Sequence, residues 1–270
     1  MPQSPDVWLG HTKGCLEQQN RFLDRSSASF TFLSDQILKG LTQKMPSPYL
    51  TKSDFKACLD CRTKLFYRKN RYPSDLDDNE YLRFLADGGF MVEFIVKARF
   101  PNGHDLADEH DPEVAFERTK ALLAGGDVTL FEAAAIDGKF QVRTDILRRE
   151  GQVLHLIEVK SSSLGEEDDM DSPFLTRKGT VDTRWREYVM DVAFQTLGLR
   201  LAFPGSHVSP QLCVIDKREP VTMAETLDRF VLEKNPANPK ARPKVAYRGN
   251  IADLVRSKLI CSRSVVIPMG

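Results

Sequence analysis

The chain has 270 residues, 41% of them hydrophobic, with 38 basic and 38 acidic side chains and a formal net charge of zero. That apolar content suffices for one enzyme-sized domain with small additions, and the balanced charge means that any anion-binding site must concentrate its positive charge locally. No long apolar run and no charged start leading into one is present, so neither a membrane span nor a signal peptide is supported and a cytoplasmic protein is the expectation.

Residues 1–48 read as a helical lead, with Ser34 to Leu41 as an amphipathic turn or two, closed by Pro46 and Pro48. Thr51 then offers a capping hydroxyl ahead of Phe55, Leu59 and the run from Leu65 to Tyr67, and Lys64, Arg68, Lys69 and Arg71 form a basic cluster behind it. After a polar break at Pro73, a strongly apolar helix is predicted from about Glu80 to Phe100. Within it Glu93 stands among Val92, Phe94, Ile95 and Val96, so its carboxylate needs a partner if it is buried. His104 and His110 follow in a loop. A further helix from Glu113 to Ala124 stops at Gly125 and Gly126, and a first strand runs from Thr129 to Ile136.

The stretch from Phe140 to Lys160 reads as strand, tight turn, strand, with the turn in Arg148 to Gln152. By period two, Asp145 shares a face with Arg143 and Leu147, and Glu158 shares one with Lys160, Leu156 and Leu154. Antiparallel pairing sets Asp145 near Leu156 and diagonal to Glu158. Two hard carboxylates with a Lys two residues further on suit a Mg²⁺ ion, a polarised phosphate and an activated water. The apolar run around Glu158 argues against a solvated surface pair. The segment from Ser161 to Ser172 is polar and acidic and reads as a loop beside the cleft. A second basic cluster, Arg177, Lys178, Arg184 and Arg186, leads into a helix from Arg184 to Phe203. That helix carries Glu187, Asp191 and Gln195 in one row and Tyr188, Val192 and Leu199 on the adjacent one. A strand from Gln211 to Asp216 and a Pro-rich joint from Asn235 to Pro243 follow. The expected fold is α/β, a mixed central β-sheet flanked by helices, with its core in 49–216 and a C-terminal extension, 217–270, packed on it.

The Asp145…Glu158-Val159-Lys160 pattern resembles that of the PD-(D/E)XK nuclease superfamily. The run from Ile157 to Ser163 followed by Tyr188 to Gln195, the segment from Tyr49 to Tyr67, and the glycine-bearing stretch from Gly88 to Ile95 are similar to the RecB-like branch, which includes the CRISPR-associated adaptation-type exonucleases. The resemblance spans roughly Tyr49 to Asp216 and implies a restriction-endonuclease-like core. It also implies a Mg²⁺- or Mn²⁺-dependent nuclease acting on single- or double-stranded DNA. In this resemblance Asp145, Glu158 and the Val159 carbonyl hold the metal, Lys160 positions the attacking water, and Gln195 serves the site from its helix. Glu93 falls where relatives often carry a metal-site His, which makes it a further candidate ligand. The Tyr that often follows the helix Gln is Leu199 here. Relatives are often fused to further domains, which leaves a protein partner or an additional fused domain open.

Five cysteines, Cys15, Cys58, Cys61, Cys213 and Cys261, are too few and scattered for a disulfide framework. Some RecB-type relatives hold an iron–sulfur cluster with one early and three clustered late cysteines. The late triplet is missing here, so no cluster is expected, and Cys58 and Cys61 read as thiols on one helical face packed against the core. The competing class is a nucleic-acid-binding or assembly subunit that keeps the fold without the chemistry, and the intact Asp, Glu and Lys set weighs against it.

Overall fold

Thr51 starts the first helix: its hydroxyl accepts the Asp54 N–H while the Asp54 carboxylate accepts the Thr51 N–H, a capping box. In the computed structural model, which describes residues 47–73, 79–166, 168, 173–217, 228–237, 242–256 and 265–266, this helix is α1 (Lys52–Asp60). Extended backbone at Cys61 (φ −165°, ψ 127°) ends it and begins α2 (Arg62–Lys69). The expected single helix is therefore two, and Cys61 is exposed at the break rather than packed beside Cys58. Asp54 ties the pair together, 3.0 Å from Arg68 Nε and 2.8 Å from Lys69 Nζ. Burial opposes its charge, but the donors from Lys69 and Thr51 win and hold its carboxyl below the usual range.

Helix α3 (Glu80–Lys97), capped by Asn79, buries Glu93, Ile95 and Val96 near its C-terminal end. It stops at Lys97, short of Phe100. The short strand β1 (His104–Asp105) and helix α4 (Pro112–Ala124) lead into three long strands, β2 (Val128–Asp137), β3 (Phe140–Glu150) and β4 (Val153–Leu164). Helix α5 (Arg186–Ala202) then returns the chain to β5 (His207–Asp216), which runs parallel to β4. Strands β6 (Phe230–Glu233) and β7 (Lys244–Tyr247) pair separately, followed by helix α6 (Ile251–Arg256) and the edge strand β8 (Val265–Val266). The main sheet has the order β1-β2-β3-β4-β5-β8 and is mixed, with β1 parallel to β2 and antiparallel ladders through β2, β3 and β4. No helix among the described residues is long and apolar enough to cross a membrane.

The sheet separates two cores. On one face Leu130, Leu147, Leu156 and Leu212 pack with Val192 and Leu199 of α5 and Leu123 of α4. On the other, Phe131, Ile146, Ile157 and Cys213 pack with Ile95 and Val96 of α3 and with Leu254 of α6. Phe230 and Tyr247 cover this second core, so the C-terminal segment rests on the α3 face.

Strict alternation fails at one level of the sheet. Leu130 and Ala133, three apart, face the same core, as do Val142 and Leu147, five apart. Between them Glu132 adopts φ +54°, a left-handed conformation that reverses the pleat. Arg143 and Leu147 therefore do not share a face as period two predicts: Arg143 donates to the Leu106 and Glu109 carbonyls, while Leu147 enters the α5 core. Strand β4 also runs further than expected, through Ser161 to Leu164, with a register shift between Val159 and Ser163. Past the shift Ser163 pairs with Ile215 and Leu164 with Asp216 of β5, and part of the acidic run that follows lies outside the described residues.

Close approach of α5 to the sheet depends on Gly198, where an added Cβ would lie 2.9 Å from Val142 Cγ1. Gly198→Ala should cost ~1–3 kcal/mol through overpacking, read by urea unfolding. Val142→Ala in the same chain should recover part of that loss. Strictly additive costs would show that the two positions do not press on each other.

Candidate active site

Strand β4 delivers Glu158 into the interface between the sheet and α5, where the residue is 0% exposed. A carboxylate stripped of water needs donors, and three segments supply them. Lys52 Nζ of α1 lies 2.6 Å from Oε1, Lys160 Nζ of β4 lies 2.7 Å from the same oxygen, and Gln195 Nε2 of α5 donates to Oε2 at 2.5 Å. Lys160 also reaches Asp191 Oδ2 at 3.1 Å, and Lys56 stands 3.8 Å from that oxygen. The Lys160 ammonium is 5.6 Å from the Tyr188 ring centroid, and the Tyr188 hydroxyl is 2.7 Å from Ser162 Oγ. Burial works against ionised Glu158, but the ammonium groups of Lys52 and Lys160 outweigh it and hold the carboxyl below its ordinary value. Burial likewise opposes the charge of Lys160, and the carboxylates of Glu158 and Asp191 raise its pKa nonetheless.

The β3–β4 ladder runs from Glu150 opposite Val153 to Ile146 opposite Ile157, so its next step sets Asp145 level with Glu158 rather than with Leu156. The turn is centred one residue later than expected because Gly151, at φ +57°, takes its first central place. Asp145 Oδ2 accepts the Val159 N–H at 2.7 Å. Its carboxyl is pushed up to about 8, first by burial and then by the charge of Glu158, with Glu93 adding and Lys52 opposing.

Asp145, Glu158, Val159, Lys160 and Gln195 are thus brought together. Glu93 is not part of that group. Its carboxylate is drawn into a neighbouring cluster, 2.7 Å from Lys97 Nζ and 2.6 Å from Arg242 Nη2. Arg242 also holds Glu132, which lies 3.6 Å from Arg143 and 3.8 Å from Lys97. Among the described residues no three His, Cys, Asp or Glu side chains form a group able to hold a metal, and Glu93, Asp145 and Glu158 do not do so. His104 and His110 are exposed. Cys213 is buried in the α3-face core, Cys58 is half-buried, and Cys15 and Cys261 lie outside the described residues. A surface groove of about 590 Å³ lies away from the cluster, at the hairpin end of the sheet, between Arg99–His104 and Arg148–Glu150.

Lys52, Glu132 and Arg242 were not anticipated from the sequence. For Lys52 a signal existed: it occupies the first turn of a helix, where the macrodipole disfavours a cation, so a partner off the helix is needed. Glu132 gave none, since a left-handed Glu inside a strand has no sequence signature. No protein-family model matches the chain, and no curated protein or solved structure matches it.

A carboxylic acid whose folded pKa lies above its unfolded value favours folding while it keeps its proton. That contribution is lost as pH rises from the unfolded value, roughly 4, toward about 8. Glu158, lowered instead, stays ionised through this window. Urea-unfolding stability in chelator should therefore decline between those limits, and Asp145→Asn should flatten the decline. Parallel curves for both proteins would assign the slope to other groups.

Proposed function

We propose that this protein is a metal-dependent nuclease of the PD-(D/E)XK superfamily, RecB-like branch, hydrolysing phosphodiester bonds in DNA. The observation that carries this reading is the like-charge pair beside Lys160: Asp145 is driven toward its proton by burial and by ionised Glu158. A hard divalent cation fits that donor chemistry, because it would relieve the repulsion that now favours protonation. Asp145, Glu158 and the Val159 carbonyl would hold Mg²⁺ or Mn²⁺, which when bound supplies Lewis acidity toward the phosphate.

The chain's own groups do the rest. Lys160, fixed between Glu158 and Asp191, keeps its charge and faces phosphate and attacking water with a positioned donor. Gln195 fixes the rotamer of Glu158 from α5. Lys52 offsets the charge of Glu158 from α1, and its ammonium would compete with a dication for that carboxylate. The mixed sheet flanked by helices agrees with the restriction-endonuclease-like core that the sequence resemblance implies.

A second reading, a nucleic-acid-binding or assembly subunit without chemistry, is favoured by one observation: both oxygens of Glu158 already have protein donors. Incubation with linear and circular DNA in Mn²⁺, Mg²⁺ or chelator separates the two. The nuclease reading expects metal-dependent cleavage and a melting temperature that rises with Mn²⁺. Asp145→Asn should lose both, and Lys160→Ala should keep or enlarge the melting shift, since Lys160 also sits on Glu158 Oε1, while turnover falls by ~10²-fold or more. Wild-type protein that neither cuts DNA nor responds to Mn²⁺ leaves the binding subunit.

Lys52→Met offers an independent check. An ammonium on Glu158 Oε1 competes with a dication for that oxygen, so its removal should enlarge the Mn²⁺-dependent melting shift. A variant that is merely less stable, with an unchanged Mn²⁺ response, would make Lys52 a structural counter-ion only.

A further inference from the structure

Helix α2 buries none of its residues, yet its C-terminal end and the turn after it carry three aromatic side chains. Phe66, Tyr67 and Tyr72 are 58%, 48% and 57% exposed. They touch one another edge to face, with ring centroids 5.8 Å apart for Phe66 and Tyr67 and 5.0 Å apart for Tyr67 and Tyr72. Arg62, Lys64, Arg68, Lys69 and Arg71 are interleaved with these rings. Exposed rings set among cations are a poor fit to water and to an apolar protein surface alike. They fit a polymer with flat π-faces and a charged backbone.

The backbone adds a separate observation. Arg71 adopts φ +55° just past the helix end, a left-handed position where Gly is the relaxed choice, and the Tyr72 N–H closes back onto the Tyr67 carbonyl at 3.1 Å. That turn carries the chain back so that the ring of Tyr72 meets that of Tyr67. The surface is also braced to the candidate active site. Asp54 of α1 binds Arg68 and Lys69 of α2, and Lys52, two residues before Asp54, reaches Glu158.

We propose that this face of α2 binds single-stranded nucleic acid, with bases stacked on Phe66, Tyr67 and Tyr72 and phosphates beside Arg62 and Lys64. Lys64 has an exposed Asp60 partner at 2.9 Å, an ion pair weak enough for a phosphate to replace. Stacking requires splayed bases, so duplex, whose bases are already stacked, is the weaker ligand. Delivery of the strand to Asp145, Glu158 and Lys160 rests on the nuclease reading, whereas the binding itself does not.

The test is fluorescence anisotropy of a labelled 15-nucleotide oligo(dT) with the full chain in chelator, so that no cleavage occurs. Wild type should bind, more weakly as salt rises, and Phe66→Ala or Tyr72→Ala should each raise Kd by roughly 5-fold or more. Tyr72→Phe should restore binding, since it keeps the π-face, and unchanged melting temperatures would show that the alanine variants fold. Unchanged affinity in both alanine variants, or duplex binding as tight as single-strand binding, would overturn the proposal. Mn²⁺-dependent hydrolysis of bis(p-nitrophenyl) phosphate, too small to span both places, keeps the two readings apart. Its loss in wild type with oligo(dT) binding intact sinks the nuclease alone. Normal hydrolysis without oligo(dT) binding sinks only the surface.

Discussion

The fold turns on one buried charge. Glu158 has no exposed surface, and an ionised carboxylate in such a place persists only if its oxygens are bonded to donors. No single element meets that need. Lys52 comes from the first described helix, Lys160 from the strand itself, and Gln195 from the helix that crosses back over the sheet. The side chain therefore ties α1 and α5 to the centre of the sheet. Removing either Lys would leave charge underneutralised in a water-poor place, and removing Gln195 would leave a carboxylate oxygen without its donor, each more costly than losing a surface ion pair.

A second ionic knot lies on the other face of the sheet. Glu93 and Glu132 share Arg242 and Lys97, with Arg143 alongside, which brings a residue of the C-terminal segment onto α3 and β2. Arg242 also lies over the Phe90 ring, 4.9 Å from its centroid. By the β2–β3 register Glu132 stands level with Asp145, and Asp145 stands level with Glu158. Three carboxylates thus share one level of three neighbouring strands. They do not repel as a free row because two of them are neutralised by cations reaching in from outside the sheet. Asp145 has a backbone N–H instead, and it is the member pushed toward its proton. The uneven supply of counter-charge singles it out.

What could be read from the sequence follows from distance along the chain. The hairpin, the Glu-x-Lys step and the row Glu187, Asp191, Gln195 are local patterns of period two or four, and each appears in the structure on its expected element. The mixed sheet with flanking helices was legible for the same reason. Two faults came from treating β3 as ideal. A turn centred one residue later moved Asp145 level with Glu158, and a left-handed Glu132 reversed the pleat beside it. Lys52 and Arg242 were illegible for a different reason. Their partners lie 106 and 110 residues away, and no periodicity connects such pairs.

Zero net charge also takes on a physical meaning once the residues are placed. In the interior, Glu93, Glu132, Glu158 and Asp191 each have a cation beside them, and Asp145 has a backbone N–H in its place. On α2 the matching is looser: the helix carries Arg62, Lys64, Arg68 and Lys69 and no acid of its own, and Lys64 meets Asp60 while Arg68 and Lys69 meet Asp54 of α1. Asp54 is the hinge between these regimes. It is buried, it caps α1, and it draws Arg68 and Lys69 inward. The rings of Phe66 and Tyr67 then share the helix with Lys64, whose partner Asp60 is exposed. A balanced chain can in this way keep its interior neutral while leaving one short helix with a local excess of positive charge, joined through two residues of α1 to the carboxylate that organises the fold.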